Sequence, residues 1–247
     1  MKCETVMILW HNQDPIYSID FENGTNKFCT AGFDNEIKIW SYTKNKETSK
    51  LSIEYLSSLK KHSKPVNIAR FSPCGNLLAS GSDDGNIIIW KLNTSTTSTT
   101  NIISTTTTTI STSATPTKPA QNRSRPNPLV ASDDNYIMKE QWSMVNSLMV
   151  PKDVYDLAWS SDGQYLSSAS TDNTVIVWSP LSKSYDQVII DHSHYVQGVS
   201  WDPLGDYLLT QSSDATCRLY TTNKARKEKK LIKEKVTTTT AAATKIR

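Results

Sequence analysis

Four aspartates, Asp34, Asp84, Asp172 and Asp214, stand at matching places along the chain, and carboxylates in sets invite two chemical readings. Paired carboxylates can divide general acid and base work, because neighbouring negative charges drive their proton affinities apart. A carboxylate beside histidines can hold a metal ion, and Asp191, His192 and His194 form one such cluster. The spacing argues against both. Each repeated aspartate lies thirteen residues after an aromatic (Phe21, Phe71, Trp159, Trp201) and six before another (Trp40, Trp90, Trp178, Tyr220). A feature that recurs once per repeat belongs to the architecture, and the Asp191 cluster has no second ligand pair at a recognisable spacing. Neither a phosphate-binding glycine loop nor a nucleophile elbow is found. The chain is therefore expected to be no enzyme, and to use no metal or other cofactor.

The repeated aspartates gain a structural role from their companions. Four residues before each stands a hydroxyl (Thr30, Ser80, Ser168, Thr210), and five before each leading aromatic stands an aliphatic (Ile16, Val66, Val154, Val196). A histidine in the loop ahead of a repeat can bridge the aspartate to the hydroxyl, and the hydroxyl can satisfy the indole N–H of the later tryptophan. A buried indole needs such a partner. The expected networks are His11, Thr30, Asp34 and Trp40; His62, Ser80, Asp84 and Trp90; and His192, Thr210 and Asp214, which end in Tyr220. The first has one extra residue after its histidine. The third repeat keeps Ser168, Asp172 and Trp178 but has Val150 where the histidine would stand, so its network is expected to be incomplete and its blade the weakest.

The elements that must position these groups are short strands. In the second repeat, "VNIARF", "LLASGS" and "GNIIIW" are apolar runs separated by Pro/Gly and Asp-Gly turns. A fourth strand is expected ahead of each repeat: "ETVMILW", "IEYLSSL", "QWSMVNSL" and "SYDQVII". Four-stranded antiparallel units recurring about every 40 residues imply an all-β WD40 propeller with four recognisable blades. The expected divisions are residues 1–92 (the N-terminal strand and repeats 1 and 2), 93–135 (an insertion), 136–222 (repeats 3 and 4) and 223–247 (a basic tail).

Composition sets the rest. The insertion is Thr, Ser, Asn and Pro with little to bury, so disorder is expected; a hairpin tip between third and fourth strands tolerates it because loop closure costs grow only logarithmically. The net charge of +3 hides a tail (224–247) of nine Lys/Arg against two Glu, a net of +7, which leaves the body at 3 − 7 = −4. Within the tail, Lys224, Arg226, Lys227, Lys229 and Lys230 are candidates for nuclear import, or for a solvated helix with Lys–Glu pairs. Without interleaved aromatics they do not suggest stacking on single-stranded nucleic acid, and sequence-specific DNA binding is not expected. The four cysteines have no CxxC pairing, and the N-terminus reads as no signal peptide, which together suggest a reduced intracellular setting. No apolar stretch approaches the roughly 20 residues of a helical membrane span.

Four segments carry a specific likeness: "LWHNQDPIYSIDF", "HSKPVNIARFSPCGNLLASGSDDGNIIIW", "DVYDLAWSSDGQYLSSASTDNTVIVW" and "HYVQGVSWDPLGDYLLTQSSD". In order and spacing they resemble the N-terminal WD repeats of the p60-type middle subunit of chromatin assembly factor 1, with "WHNQDPIYS" and "HYVQGVSWDPLG" the most telling. Histone regulator A has similar repeats. The resemblance implies a nuclear, non-catalytic subunit of a histone H3/H4 chaperone in nucleosome assembly coupled to DNA replication and repair. Its partners would be the other subunits of that factor and histones H3 and H4, directly or through the complex. The family resembled has seven blades, so four imply an open arc. A generic WD-repeat adaptor, such as a ubiquitin-ligase receptor, is the alternative. By blade geometry, Phe33, Asp83, Thr171 and Ser213 before each aspartate should share one face with Tyr17, Asn67, Tyr155 and Gln197 after each first-strand aliphatic. These eight are the candidate partner-binding residues.

Overall fold

A computed structural model describes residues 7, 11, 13–45, 50–93, 138–222 and the backbone of 231–232. Every regular element among them is a strand. Sheet 1 comprises β1 (Ile16–Phe21), β2 (Lys27–Gly32), β3 (Glu36–Lys44) and β4 (Leu51–Lys60). Sheet 2 comprises β5 (Val66–Phe71), β6 (Leu77–Ser82), β7 (Asn86–Leu92) and β8 (Trp142–Met149). Sheet 3 is built from β9 (Val154–Trp159), β10 (Leu166–Ser170), β11 (Val175–Ser179) and β12 (Ser184–Ile189). Sheet 4 holds β13 (Val196–Trp201), β14 (Tyr207–Ser212), β15 (Cys217–Thr222) and β16 (Leu231–Ile232). Each sheet is an antiparallel meander in chain order, as short strands joined by tight turns require.

Two turns per sheet use left-handed backbone. After β1, β5, β9 and β13 the turn glycines Gly24, Gly75, Gly163 and Gly205 have φ between +69° and +75°. After each repeated aspartate the same conformation falls on Asn35, Gly85, Asn173 and Ala215. Glycine and asparagine accept it readily, whereas Ala215 at φ +63° carries a Cβ into it.

The innermost strands β1, β5, β9 and β13 lie in a row, and adjacent sheets pack face to face. Three apolar cores fill the three joints. In the first, Cys29, Ile37, Ile39 and Leu59 of sheet 1 meet Val66, Phe71, Leu78 and Trp90 of sheet 2. In the second, Ala79, Ile87, Ile89 and Leu148 meet Val154, Leu157, Trp159 and Trp178. In the third, Ala169, Val175 and Val177 meet Val196, Val199, Leu208 and Tyr220. Every sheet thus has a trailing face toward its successor and a leading face toward its predecessor. Sandwiching explains why β6 and β10 are buried at every residue instead of alternating.

Two expectations need correction. The fourth strand written ahead of each repeat belongs to the sheet before it: β4 pairs with β3, β8 with β7 and β12 with β11. An outer strand follows its neighbour by the shortest return and then crosses to the inner strand of the next sheet, so sequence repeat and sheet are offset by one strand. Accordingly Trp142–Met149, within residues 136–222, completes sheet 2. The tail, expected as a basic run for import or a solvated helix, supplies β16, which pairs Leu231 with Thr222 and Ile232 with Thr221. Most of "ETVMILW", residues 94–135 of the insertion and residues 136–137 lie outside the described residues, as do all five candidate import residues, Lys224, Arg226, Lys227, Lys229 and Lys230.

Candidate functional site

In sheets 1, 2 and 4 the turn between the second and third strands holds its aspartate against the loop that enters the sheet. In sheet 2, His62 Nδ1 lies 3.1 Å from Asp84 Oδ2 and His62 Nε2 lies 2.8 Å from Ser80 Oγ. Trp90 Nε1–H donates to that same Ser80 oxygen at 2.9 Å. The indole occupies an acceptor position of the hydroxyl, so the Ser80 proton is free to point at Nε2 and the Nδ1–H donates to Asp84. Sheet 1 repeats this with His11 to Asp34 and Thr30, each at 2.8 Å, and Trp40 donating to Thr30 at 2.8 Å. The extra residue after His11 is absorbed by a turn in which Asp14 N–H donates to His11 O and Gln13 takes φ +68°.

In sheet 4, His192 reaches Asp214 and Thr210 at 2.8 Å each. Its Tyr220 donates to Asp191 at 3.3 Å, and burial, aided by the Asp191 charge, pushes the phenol up to about 12. Sheet 3 shows the expected gap. Trp178 Nε1–H still donates to Ser168 at 2.9 Å, while Asp172 accepts from the N–H and hydroxyl of Thr174, and Val150 is buried where the histidine would be.

A hydroxyl, a histidine and an aspartate at these distances have the composition of a nucleophilic triad. Their surroundings are wrong for one. Ser80 and Thr210 are fully buried, and in sheets 1 and 2 the hydroxyl oxygen that would attack is covered by an indole N–H. Burial acts to raise the carboxyls of Asp34, Asp84 and Asp214, but hydrogen bonds from the histidines and nearby N–H or hydroxyl groups outweigh it and hold all three below the usual carboxylate range. Among the described residues there is no cluster of three or more metal-ligating side chains, so Asp191, His192 and His194 do not form one.

The face predicted for partners is assembled by a repeated irregularity. In all four sheets the first strand pairs regularly with the second except at one extra residue: Tyr17, Asn67, Tyr155 and Gln197 each occupy a β-bulge. A bulge leaves its residue unpaired and re-aims the side chain, which is how one strand position can serve a surface without breaking the core alternation. Beside each bulge, Phe33, Asp83, Thr171 and Ser213 donate their N–H to Pro15, Pro65, Asp153 and Tyr195 carbonyls at 2.9–3.1 Å. The two series therefore do form one rim. Asn67 Nδ2 donates to Asp83 Oδ1 at 2.6 Å and to Val154 O of the next sheet at 2.9 Å. Tyr17, Phe33, Tyr155, Gln197 and Ser213 are exposed or partly so, and Asn67 and Asp83 half-buried. Thr171 is the correction: its short side chain is buried, at 7% exposure, and offers a partner little surface.

Sequence reasoning missed two features. His194 and Tyr195, with ring centroids 4.3 Å apart, are exposed at the same end of sheet 4; only the position just before the first-strand aliphatic marks Tyr195. The inner strands also carry a polar belt beside a cleft of about 420 Å³. Asp20 accepts from Phe71 N–H at 2.8 Å, Asp156 from Val199 N–H at 3.0 Å, and Ser18 from Ala69 N–H at 3.1 Å, each across a joint. Burial holds Asp20 and Asp156 above the usual carboxylate range, partly offset by those N–H groups and by Arg70.

Four-stranded blades in a row, three of them locking a turn aspartate to an entry-loop histidine and each opening a bulge on a common rim, define a WD-repeat β-propeller protein. More narrowly, the chain belongs to the CAF1B/HIR1 beta-propeller domain family, whose model matches residues 1–115 and 117–247. The B-type subunit of chromatin assembly factor 1 from Gallus gallus is 38% identical over 231 residues, covering 92% of this chain and 36% of that protein. The chromatin assembly factor 1 subunit FAS2 homolog of Oryza sativa subsp. japonica is 39% identical over 231 residues, covering 93% and 38%. Protein HIR1 of Mycosarcoma maydis is 30% identical over 224 residues, covering 86% and 19%. The chain spans little more than a third of the length of these two chromatin assembly factor relatives.

Proposed function

We propose that this chain acts by binding alone, as a WD40 scaffold in a nuclear complex that passes histones H3 and H4 onto newly replicated or repaired DNA. The observation that carries the reading is the bulge-built rim, set on joints rigid enough to hold exposed aromatics such as Tyr17, Phe33 and Tyr155 in place. Such a surface binds cheaply in entropy, since its side chains have few rotamers to lose and its backbone is already ordered. The reading is supported by the names of the relatives, which are chromatin assembly factor subunits. The burial of Ser80 and Thr210 supports a non-catalytic role, because a substrate has no access to the one hydroxyl–histidine–aspartate arrangement the fold repeats. Partners are the other subunits of the assembly factor, with histones met directly or through them.

The test is affinity purification of the tagged natural gene product from dividing cells, with its companions identified. Recovery of histones H3 and H4 with a large charged subunit is the expected result. Companions of a histone regulator complex would move the chain to the other branch of its family. Ligase or RNA-processing components without histones would end the chromatin reading.

A further inference from the structure

The rim changes its chemistry where sheet 2 meets sheet 3. At the places of Tyr17, Tyr155 and Gln197 sheet 2 has Asn67, and at the places of Phe33, Thr171 and Ser213 it has Asp83. The Asn67 amide reaches two acceptors, Asp83 Oδ1 at 2.6 Å and Val154 O of sheet 3 at 2.9 Å. The bulge that re-aims Asn67 therefore makes it a clamp across the joint. With its own N–H tied to Pro65 O at 3.1 Å, Asp83 presents a carboxylate that has little freedom left to lose on binding.

The other oxygen of that carboxylate is unused. Among the described residues no group donates to Asp83 Oδ2, and neither Lys64 nor Lys152, from the loops entering sheets 2 and 3, forms an ion pair with it. Tyr155 directly follows Val154, so its ring, 44% exposed, stands on the sheet 3 side of the same notch. A fixed carboxylate oxygen beside an exposed aromatic ring suits a cation. The wider field agrees. The loops entering the four sheets (11–15, 61–65, 150–153, 190–195) and the turns of the repeated aspartates (33–35, 83–85, 171–173, 213–215) hold eight Asp against three Lys, a net of −5 with the histidines neutral. Hydrogen bonds keep Asp34, Asp84 and Asp214 ionised at neutral pH, so this end of the sheets attracts positive charge.

We propose that the notch between Asp83 and Tyr155 takes a lysine side chain of a partner protein, its ammonium donating to Asp83 Oδ2 against the Tyr155 ring. Lysine suits the notch better than arginine, because a guanidinium fork is matched by two open carboxylate oxygens and Asn67 already holds one. Asn67 is a positioning residue, acting through Asp83. The site rests on the reading of the rim as a binding surface and gives that surface a ligand class, whichever complex the chain joins.

Fluorescence anisotropy of the 247-residue chain with a labelled peptide of alternating Lys and Ala tests it, beside peptides with acetyl-lysine or Arg at the same places. The Lys peptide is expected to bind, the acetylated one at least about tenfold more weakly. The Arg peptide should also bind more weakly than the Lys peptide. Asp83→Asn, which keeps an oxygen for the Asn67 amide, should weaken the Lys peptide about tenfold, and Tyr155→Leu about threefold. Asn67→Ala should weaken it in the wild-type chain but not in Asp83→Asn, a coupling that a merely structural role would not give. Asp14→Asn removes the same charge from another loop and should matter less than about twofold. Far-UV circular dichroism checks the fold; an Asp83→Asn chain that loses the spectrum is replaced by Asp83→Ser. No binding of the Lys peptide, equal binding of the acetylated or Arg peptide, indifference to Asp83→Asn, or an equal loss from Asp14→Asn would each overturn the proposal. Indifference to Asp83→Asn while Tyr17→Ala still lowers recovery of partner subunits would overturn the lysine site and keep the rim. Unreduced recovery with the Lys peptide still lost on Asp83→Asn would do the reverse.

Discussion

The hydroxyl of Ser80 accepts from Trp90 and points its proton at His62, and this double use lets an indole, an imidazole and a carboxylate share one interior. Removing Asp84 strands the Nδ1–H of a buried histidine, so Asp84→Ala is expected to cost about 1–3 kcal/mol. Asp172→Ala should cost less than that, because Asp172 holds only Thr174 and no histidine depends on it. Urea unfolding midpoints of the two variants check the order. The same groups set an acid limit. Asp34, Asp84 and Asp214 are held below their unfolded values, so their contribution is whole above the ordinary carboxylate value of about 3.9 and is lost as pH falls below it. The wild-type free energy of unfolding should therefore fall more steeply below that point than that of Asp84→Ala, as measured by denaturant titration at stepped pH.

Turns and joints respond to different substitutions. Ala215 holds a left-handed conformation that Asn35, Gly85 and Asn173 hold at its three counterparts, so Ala215→Gly should stabilise the protein by about 1 kcal/mol. Glycines on the trailing faces separate a covered joint from an open one. A Cβ on Gly81 would come within 2.5 Å of Val154 Cγ1 in the next sheet, and Gly81→Ala should cost about 1–3 kcal/mol. A Cβ on Gly198 meets only the side chain of the exposed Gln211, so Gly198→Ala should change stability by less than about 0.5 kcal/mol. Thermal unfolding of the two variants side by side provides the check. The repeat spacing revealed the first three strands of every sheet, because each is bounded by turn residues. It did not reveal which sheet owns the fourth strand, since that depends on where the chain crosses.

Across the whole row of sheets, the rim and the joints answer to separate demands. Tyr17→Ala and Tyr155→Ala remove exposed rings at bulges and leave the three cores untouched, so the fold should persist while the recovery of partner subunits drops. Quantitative pull-down alongside an unchanged far-UV spectrum tests this. Unreduced recovery from both variants would move the binding surface elsewhere. The rim was legible because two residue series recur beside fixed landmarks, the first-strand aliphatic and the turn aspartate. Thr171 was misplaced on it because recurrence gives position along the chain but not how deeply a short side chain sits.

Fixed spacing among residues that must hydrogen-bond within one sheet was enough to determine the repeat, the His–hydroxyl–Asp–Trp networks and the gap at Val150, since local strand geometry converts separation in sequence into distance. The polar belt of Ser18, Asp20, Arg70 and Asp156 had no such signature. Each of its members acts across a joint, on a group some 43 to 52 residues away, and no local period records that. The same holds for the clamp on Asp83. In sequence Asn67 and Asp83 mark only rim positions, and only the packing of sheet 3 on sheet 2 decides that one amide spans both Asp83 and the Val154 carbonyl.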